Sequence, residues 1–260
     1  MMKALRSRLQ QGYRTMKYPK GPPAPMPERF RGLPLLDSSS FDPESAAACV
    51  EACPTGALRL GPTGATVASL DLGLCIFCGA CEAACPPGAI QFGKDYRLAA
   101  RKRSDLILEA GRTSLDPALP LEGRIRRLLG RSLKLREVSA GGCNGCESDV
   151  NVLNTVGWDL GRFGVQFVAS PRHADGILIT GPVTKNMELA LRKTWDAIPG
   201  PKIAIAVGAC AISGGIYAGL PETGDGVGER VPVDLYIPGC PPHPLTILDG
   251  ILRLIGRIKA

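Results

Sequence analysis

At 260 residues the chain suits two domains better than one, and 45% hydrophobic residues suffice for a substantial core; few aromatics (5%) beside 32 Gly and 23 Pro point to tight turns around cofactors. The ten cysteines accompany no secretory segment, which argues against a disulfide scaffold and for metal bound in a reducing cytoplasm. The net charge of +7 is uneven: residues 1–31 and 97–136 each carry +7 and the remainder −7, and with no binding module or aromatic interleaving beside the basic stretches, no nucleic-acid partner is expected.

The first predicted element is a basic amphipathic helix within an arm of residues 1–31. Met2, Leu5, Leu9, Tyr13 and Met16 recur at helical spacing, with Lys3, Arg6, Arg8, Arg14 and Lys17 on the remaining faces. Residues 1–18 therefore offer contact with an anionic membrane surface; docking on a partner subunit is the alternative.

Residues 32–96 contain an internal repeat. "LCIFCGACEAACPPGAI" carries Cys75, Cys78, Cys81 and Cys85-Pro86 in the C-x2-C-x2-C-x3-C-P run that holds iron-sulfur clusters. "FDPESAAACVEACPTGAL" is a degenerate copy that keeps Cys49 and Cys53 but has Pro43 and Ala46 where two thiols belong. In two-cluster ferredoxins each half lends its fourth thiolate to the other cluster. Cys53 thus completes a set with Cys75, Cys78 and Cys81, whereas Cys49 and Cys85 remain as packed or idle thiols. Oxygen ligation by Asp42 or Ser45 would be the only rescue of the second site, and cluster iron prefers thiolate.

A Pro-punctuated basic linker is expected over 97–122, and the second domain over 123–260. Strand-like runs at 133–140, 165–170, 176–181, 202–208 and 233–239 alternate with helical patterns near 147–160, 185–197 and 244–258, leaving a loop around 211–231. The fold class is α/β: a flavodoxin-like parallel-sheet domain preceded by a small α+β bacterial-ferredoxin-like domain. The apolar run 202–220 reads as a buried strand and cofactor loop rather than a membrane span. Cys143, Cys146, Cys210 and Cys240 all lie just past strand ends, together at the carboxyl edge of a parallel sheet, and form a further four-thiolate set. Zinc would also fit four thiolates, although structural zinc knuckles usually pair two C-x2-C units.

"GRSLKLREVSAGGCNGCESDVNVL", "SPRHADGILITGPVT", "VGACAISGGIY" and "VDLYIPGCPPHP" resemble the small electron-transfer subunit of group 4, energy-converting nickel-iron hydrogenases, the family that also includes the 20 kDa cluster-N2 subunit of complex I. Residues 13–110, with "YPKGPPAPMPERFRGLPLLD", resemble the polyferredoxin subunit of the same complexes, so the chain looks like a fusion of two neighbouring subunits. The spacing "CNGC" is that of the hydrogenase branch; complex I subunits have adjacent cysteines there. The resemblance implies two 4Fe-4S clusters and no independent active site on this chain. It also implies a partner large subunit with nickel-iron, membrane-arm subunits, an iron-sulfur or formate dehydrogenase electron donor, and a cytoplasmic, peripheral place on the inner face of the cell membrane. A complex I-like relative without nickel, a zinc-bearing basic scaffold and a soluble hydrogenase module are the other readings. Glu147, next to Cys146, is a candidate for proton-coupled electron transfer or for complementing a helix N-terminus. His243, where many relatives have Arg, is a candidate cluster-tuning residue or a plain turn residue, and His173 is assigned no chemistry.

Overall fold

The computed structural model describes residues 2–12, 14–22, 25–64 and 66–258. Helix α1 (Met2–Gln11) contributes no buried residue. It is followed by Gly12 at φ +59°, and it is shorter than predicted. Tyr13 lies outside the described residues. Met16 is not on the helix: its N–H donates to Gly157 O at 2.9 Å and its side chain packs on the core.

The ferredoxin-like unit runs β1 (Pro34–Leu36), α2 (Pro43–Glu51), β2 (Leu58–Leu60), β3 (Val67–Asp71), α3 (Ala80–Ala84), β4 (Ile90–Phe92) and β5 (Ile107–Glu109). β1 pairs antiparallel with β4, and β2, β3 and β5 form a second sheet in that order. The degenerate half-motif has become a helix start. Asp42 caps α2 by accepting from Ser45 N–H (2.9 Å), Ser45 Oγ accepts from Asp42 N–H (3.0 Å), and Pro43 opens the first turn. One carboxylate oxygen of Asp42 and the hydroxyl of Ser45 are thereby engaged in the cap, and Ala46 is fully buried.

The stretch read as a linker, 97–122, is built into the fold. It supplies β5, and Arg103 makes two 2.7 Å bonds to the Asp71 carboxylate. Ala100 exchanges backbone hydrogen bonds of 3.0 and 2.8 Å with Tyr236 of the second domain.

Beyond it come α4 (Gly123–Leu129), β6 (Leu133–Ser139), α5 (Gly145–Val152), β7 (Val165–Phe167), β8 (Gly176–Thr180), α6 (Lys185–Ala197), β9 (Ile203–Val207), α7 (Ala209–Ser213), β10 (Leu235–Ile237) and α8 (Pro244–Leu254). All pairings are parallel in the order β10-β9-β8-β6-β7, the doubly wound flavodoxin-like arrangement with its topological switch between β6 and β8. The predicted strands are recovered. Helix α5 stops earlier than predicted, and α7 lies just past the predicted strand 202–208 and at the start of the loop expected around 211–231. The run 202–220 is thus β9 followed by α7, and among the described residues no helix is long and apolar enough to cross a membrane.

Alternation along the strands splits the core between the two faces of the sheet. Leu133, Leu135, Ile203 and Ile205 pack with α8 on one face, while Ile177, Ile179, Ala204 and Ala206 face the other, in one continuous core with the ferredoxin-like residues Leu70, Leu72 and Leu108. Every residue of α8 is buried, including Asp249 and Arg253. Arg253 Nε donates to Asp249 Oδ2 (2.7 Å), and Tyr18 from the N-terminal segment donates its hydroxyl to Asp249 Oδ1 (2.5 Å). Arg162 also holds that segment, through Tyr18 O at 2.8 Å.

Candidate functional site

Cys53 follows α2, Cys75 and Cys78 sit in the loop after β3, and Cys81 is in the first turn of α3. These elements bring all four thiols to the lining of one cavity, with Leu58, Leu70, Ile76 and Phe92 as its apolar walls. Backbone donors already point at the sulfurs: Ala57 N–H donates to Cys53 Sγ (3.2 Å) and Phe77 N–H to Cys75 Sγ (3.3 Å). Burial pushes the Cys75 thiol up to about 12 and that of Cys81 to about 11, and the neighbouring thiols of the set add to both. Such thiols stay protonated until a metal supplies the compensating positive charge.

Cys143 follows β6, Cys146 lies in the first turn of α5, Cys210 in the first turn of α7, and Cys240 just beyond β10. All four gather at the carboxyl edge of the sheet. Burial raises Cys146, Cys210 (to about 11) and Cys240, and the other thiols of the set raise each of them further. Room for the sulfurs comes from absent side chains. A Cβ on Gly208, at φ +89°, would sit 2.4 Å from Cys146 Sγ. Among the described residues no three His, Cys, Asp or Glu side chains close around a single ion position.

The two sets adjoin. Cys240 is raised by burial, then by Cys143, and then by Cys78 of the first set. Ile76 and Phe77 line a common cleft with Cys240 and Pro241, and Ser213, on the helix of Cys210, donates to Gly73 O at 2.8 Å.

Of the two states expected for Cys49 and Cys85, packed or idle, the structure has them packed, both buried. The structure joins them in a disulfide, Cα–Cα 5.2 Å, inside the ferredoxin-like core. The exchange pattern that sends Cys53 to the first set leaves these two over, and they meet in the buried core that also holds Ala46.

Glu147 is only 7% exposed and accepts from Ser139 Oγ (2.5 Å) and Thr180 Oγ1 (2.7 Å). Sequence reasoning passed over Glu137, which among the other charged residues of β6, Lys134 and Arg136, gives no local signal. Its buried Oε1 has no hydrogen-bond partner, and burial, then the Glu147 charge, push its carboxyl up to about 7. Both glutamates line an open cleft with Asn151 and Phe167. His243 caps α8, its Nδ1 accepting from Leu245 N–H (3.1 Å), and its ring meets the edges of Phe30 and Trp158; burial lowers its pKa. His173 ends a single exposed 3-10 turn, Pro171–His173.

Residues 143–254, beginning on the first thiol of the second set, match the family described as NADH ubiquinone oxidoreductase, 20 Kd subunit, and residues 45–89 match a 4Fe-4S dicluster domain. Over 141 residues the chain is 40% identical to a probable membrane-bound hydrogenase subunit of Pyrococcus furiosus, covering 53% of this chain and 84% of that protein. The chain belongs to the 20 kDa-subunit family. This 20 kDa-type chain is also 41% identical to formate hydrogenlyase subunit 7 of Escherichia coli over 139 residues, 54% of each chain. It is 42% identical to an NADH-quinone oxidoreductase subunit of Desulfovibrio desulfuricans over 109 residues, 42% of this chain and 59% of that protein. The family's members thus include subunits of hydrogenase and of NADH-quinone oxidoreductase, and this chain carries a 4Fe-4S domain ahead of the shared part.

Proposed function

We propose that the chain is the iron-sulfur relay of a membrane-associated nickel-iron hydrogenase complex, passing electrons between a redox partner and the active site of a separate large subunit. A 4Fe-4S cluster in each thiol set would supply one-electron chemistry. Cys53, Cys75, Cys78 and Cys81 hold the first; Cys143, Cys146, Cys210 and Cys240 hold the second. The observation that carries the reading is the convergence of eight cysteines into two adjoining sets, with Cys78 and Cys240 on their facing sides. Ala57 and Phe77 N–H groups stabilise the sulfurs electrostatically, and the apolar walls keep water away, both of which bear on redox potential.

The basic face of α1 supports attachment to the inner surface of the cell membrane, since Leu5 and Leu9 are exposed beside Lys3, Arg6 and Arg8. A complex I-like oxidoreductase without nickel is the second reading, favoured by the similarity to NADH-quinone oxidoreductase subunits. The "CNGC" spacing weighs toward hydrogenase. Anaerobic purification with the co-purifying large subunit separates the possibilities. Roughly eight irons on this chain and nickel on its partner are expected. Iron without nickel selects the second reading, and zinc without a visible sulfide-to-iron absorption refutes both.

A further inference from the structure

The N-terminal segment does more than lead into the ferredoxin-like unit. Lys94 Nζ donates to the carbonyls of Pro27 (3.2 Å), Glu28 and Phe30 (2.8 Å), gathering residues 27–30 against the end of β4. Gly32 N–H donates to Gly93 O (2.8 Å) and Leu33 N–H to Asp95 O (2.9 Å). The two backbones approach so closely at Gly32 that a Cβ there would lie 2.3 Å from Asp95 O. Arg31 is therefore delivered by a fastened main chain.

Its guanidinium lies over the loop that carries Cys75, Cys78 and Cys81. Arg31 Nη1 donates to Phe77 O at 3.4 Å, and a Cβ on Gly79 would be 2.7 to 2.8 Å from Nη2, Cζ and Nε. Phe77 is also the residue whose N–H donates to Cys75 Sγ. The ion pairs of the described residues leave Arg31 out. Glu28 and Glu82 share its surface cleft, along with Arg29 and Lys94, so the cleft is net positive.

We propose that Arg31 sets the reduction potential of the group bound by Cys53, Cys75, Cys78 and Cys81, raising it through the guanidinium charge clamped over the cysteine loop. The inference rests on the assignment of a 4Fe-4S cluster to these thiols. Reduction adds one electron to a cluster already made anionic by four thiolates, and a fixed cation beside it favours the reduced form. Arg31 is exposed, so salt screens part of the effect. Its role is one of electrostatic positioning; it ligates nothing.

The test is an anaerobic redox titration of the full chain, followed by EPR, for the wild type, Arg31→Gln and Arg31→Lys, with iron counted in each. Arg31→Gln should keep its iron and shift the first cluster to lower potential, with a smaller shift at high salt and a smaller one at the second cluster, whose Cys240 lines the same cleft as Arg31. Arg31→Lys should restore most of the wild-type potential. An unchanged potential in a fully loaded Arg31→Gln overturns the proposal. So does loss of iron in Arg31→Gln that Arg31→Lys repairs, since the residue would then hold the site together rather than tune it. A wild-type chain without iron at these cysteines would instead sink the cluster assignment.

Discussion

Replacing Gly208 by alanine should empty the second thiol set and leave the first loaded. The glycine has φ +89° and ψ 155°, a backbone conformation open to glycine and strained by roughly 1–3 kcal/mol for a side chain. The added methyl would stand 2.4 Å from Cys146 Sγ, whereas ordinary van der Waals contact begins at 3.4 Å, so the sulfur or the backbone must yield by 1.0 Å, the difference between those two distances. Gly208 N–H donates to Ile237 O at 2.8 Å, and the following Ala209 N–H to Gly239 O at 2.8 Å, which fixes the backbone side and leaves the sulfur to move. A ligand displaced by that much no longer meets iron. Anaerobically purified Gly208→Ala should hold about half the wild-type iron and lose one of two EPR signals. Gly157→Ala, where the new Cβ meets nothing within 4 Å and φ is not positive, is the control and should be silent. Full iron with both signals intact in Gly208→Ala would refute the assignment of Cys146 to a cluster.

Other outcomes test separate parts of the molecule. Cys53→Ala should abolish the ferredoxin-domain cluster although it lies outside the intact motif, while Cys49→Ser and Cys85→Ser should leave the iron count unchanged; thiol titration of the denatured wild type should show two fewer reactive thiols before reduction than after. Glu137 binds its proton more tightly when folded, so the unfolded chain ionises first, and stability should fall as pH rises from the ordinary carboxylate range, 4.5, to about 7. Glu137→Gln should remove that decline, worth up to about 3 kcal/mol before solvent screening, in denaturant titrations at a series of pH values. Tyr18→Phe takes one donor from the buried Asp249 carboxylate and should cost about 1–3 kcal/mol by the same assay. Deleting residues 2–11 should reduce binding to anionic vesicles without changing iron content; unchanged binding would mean that α1 serves a protein partner.

The C-terminal half was legible chiefly because β8 and β9 are short apolar runs beside Gly, and a parallel sheet buries such runs on both faces. The gathering of the eight thiols was legible for a different reason: spacing is a local property, and thiolate chemistry leaves few substitutes. Helix α7 was missed because five residues are too few to show a period, and Gly208 before it made "VGACAIS" look like a strand end. Tyr18 and Asp249 meet across 231 positions, which no periodicity can report. Arg103 read as linker charge because its partner Asp71 lies on β3, beyond the reach of any local pattern. The union of Cys49 and Cys85 was half visible: the exchange of ligands identifies them as leftovers, and their contact follows only once both halves are folded.

The unbroken core between the ferredoxin-like unit and one face of the parallel sheet has a kinetic meaning. A ferredoxin that visits its acceptor must diffuse, collide and orient, and its delivery rate falls as the medium thickens or as the carrier is diluted. Here Leu70, Leu72 and Leu108 share a dry interior with Ile177 and Ile179, and swinging the ferredoxin-like half away would expose them. In the proposed relay, passage between the two thiol sets is therefore a step within a solid body, indifferent to viscosity and to concentration, and joining the two units in one chain turns an encounter into a wire of fixed length.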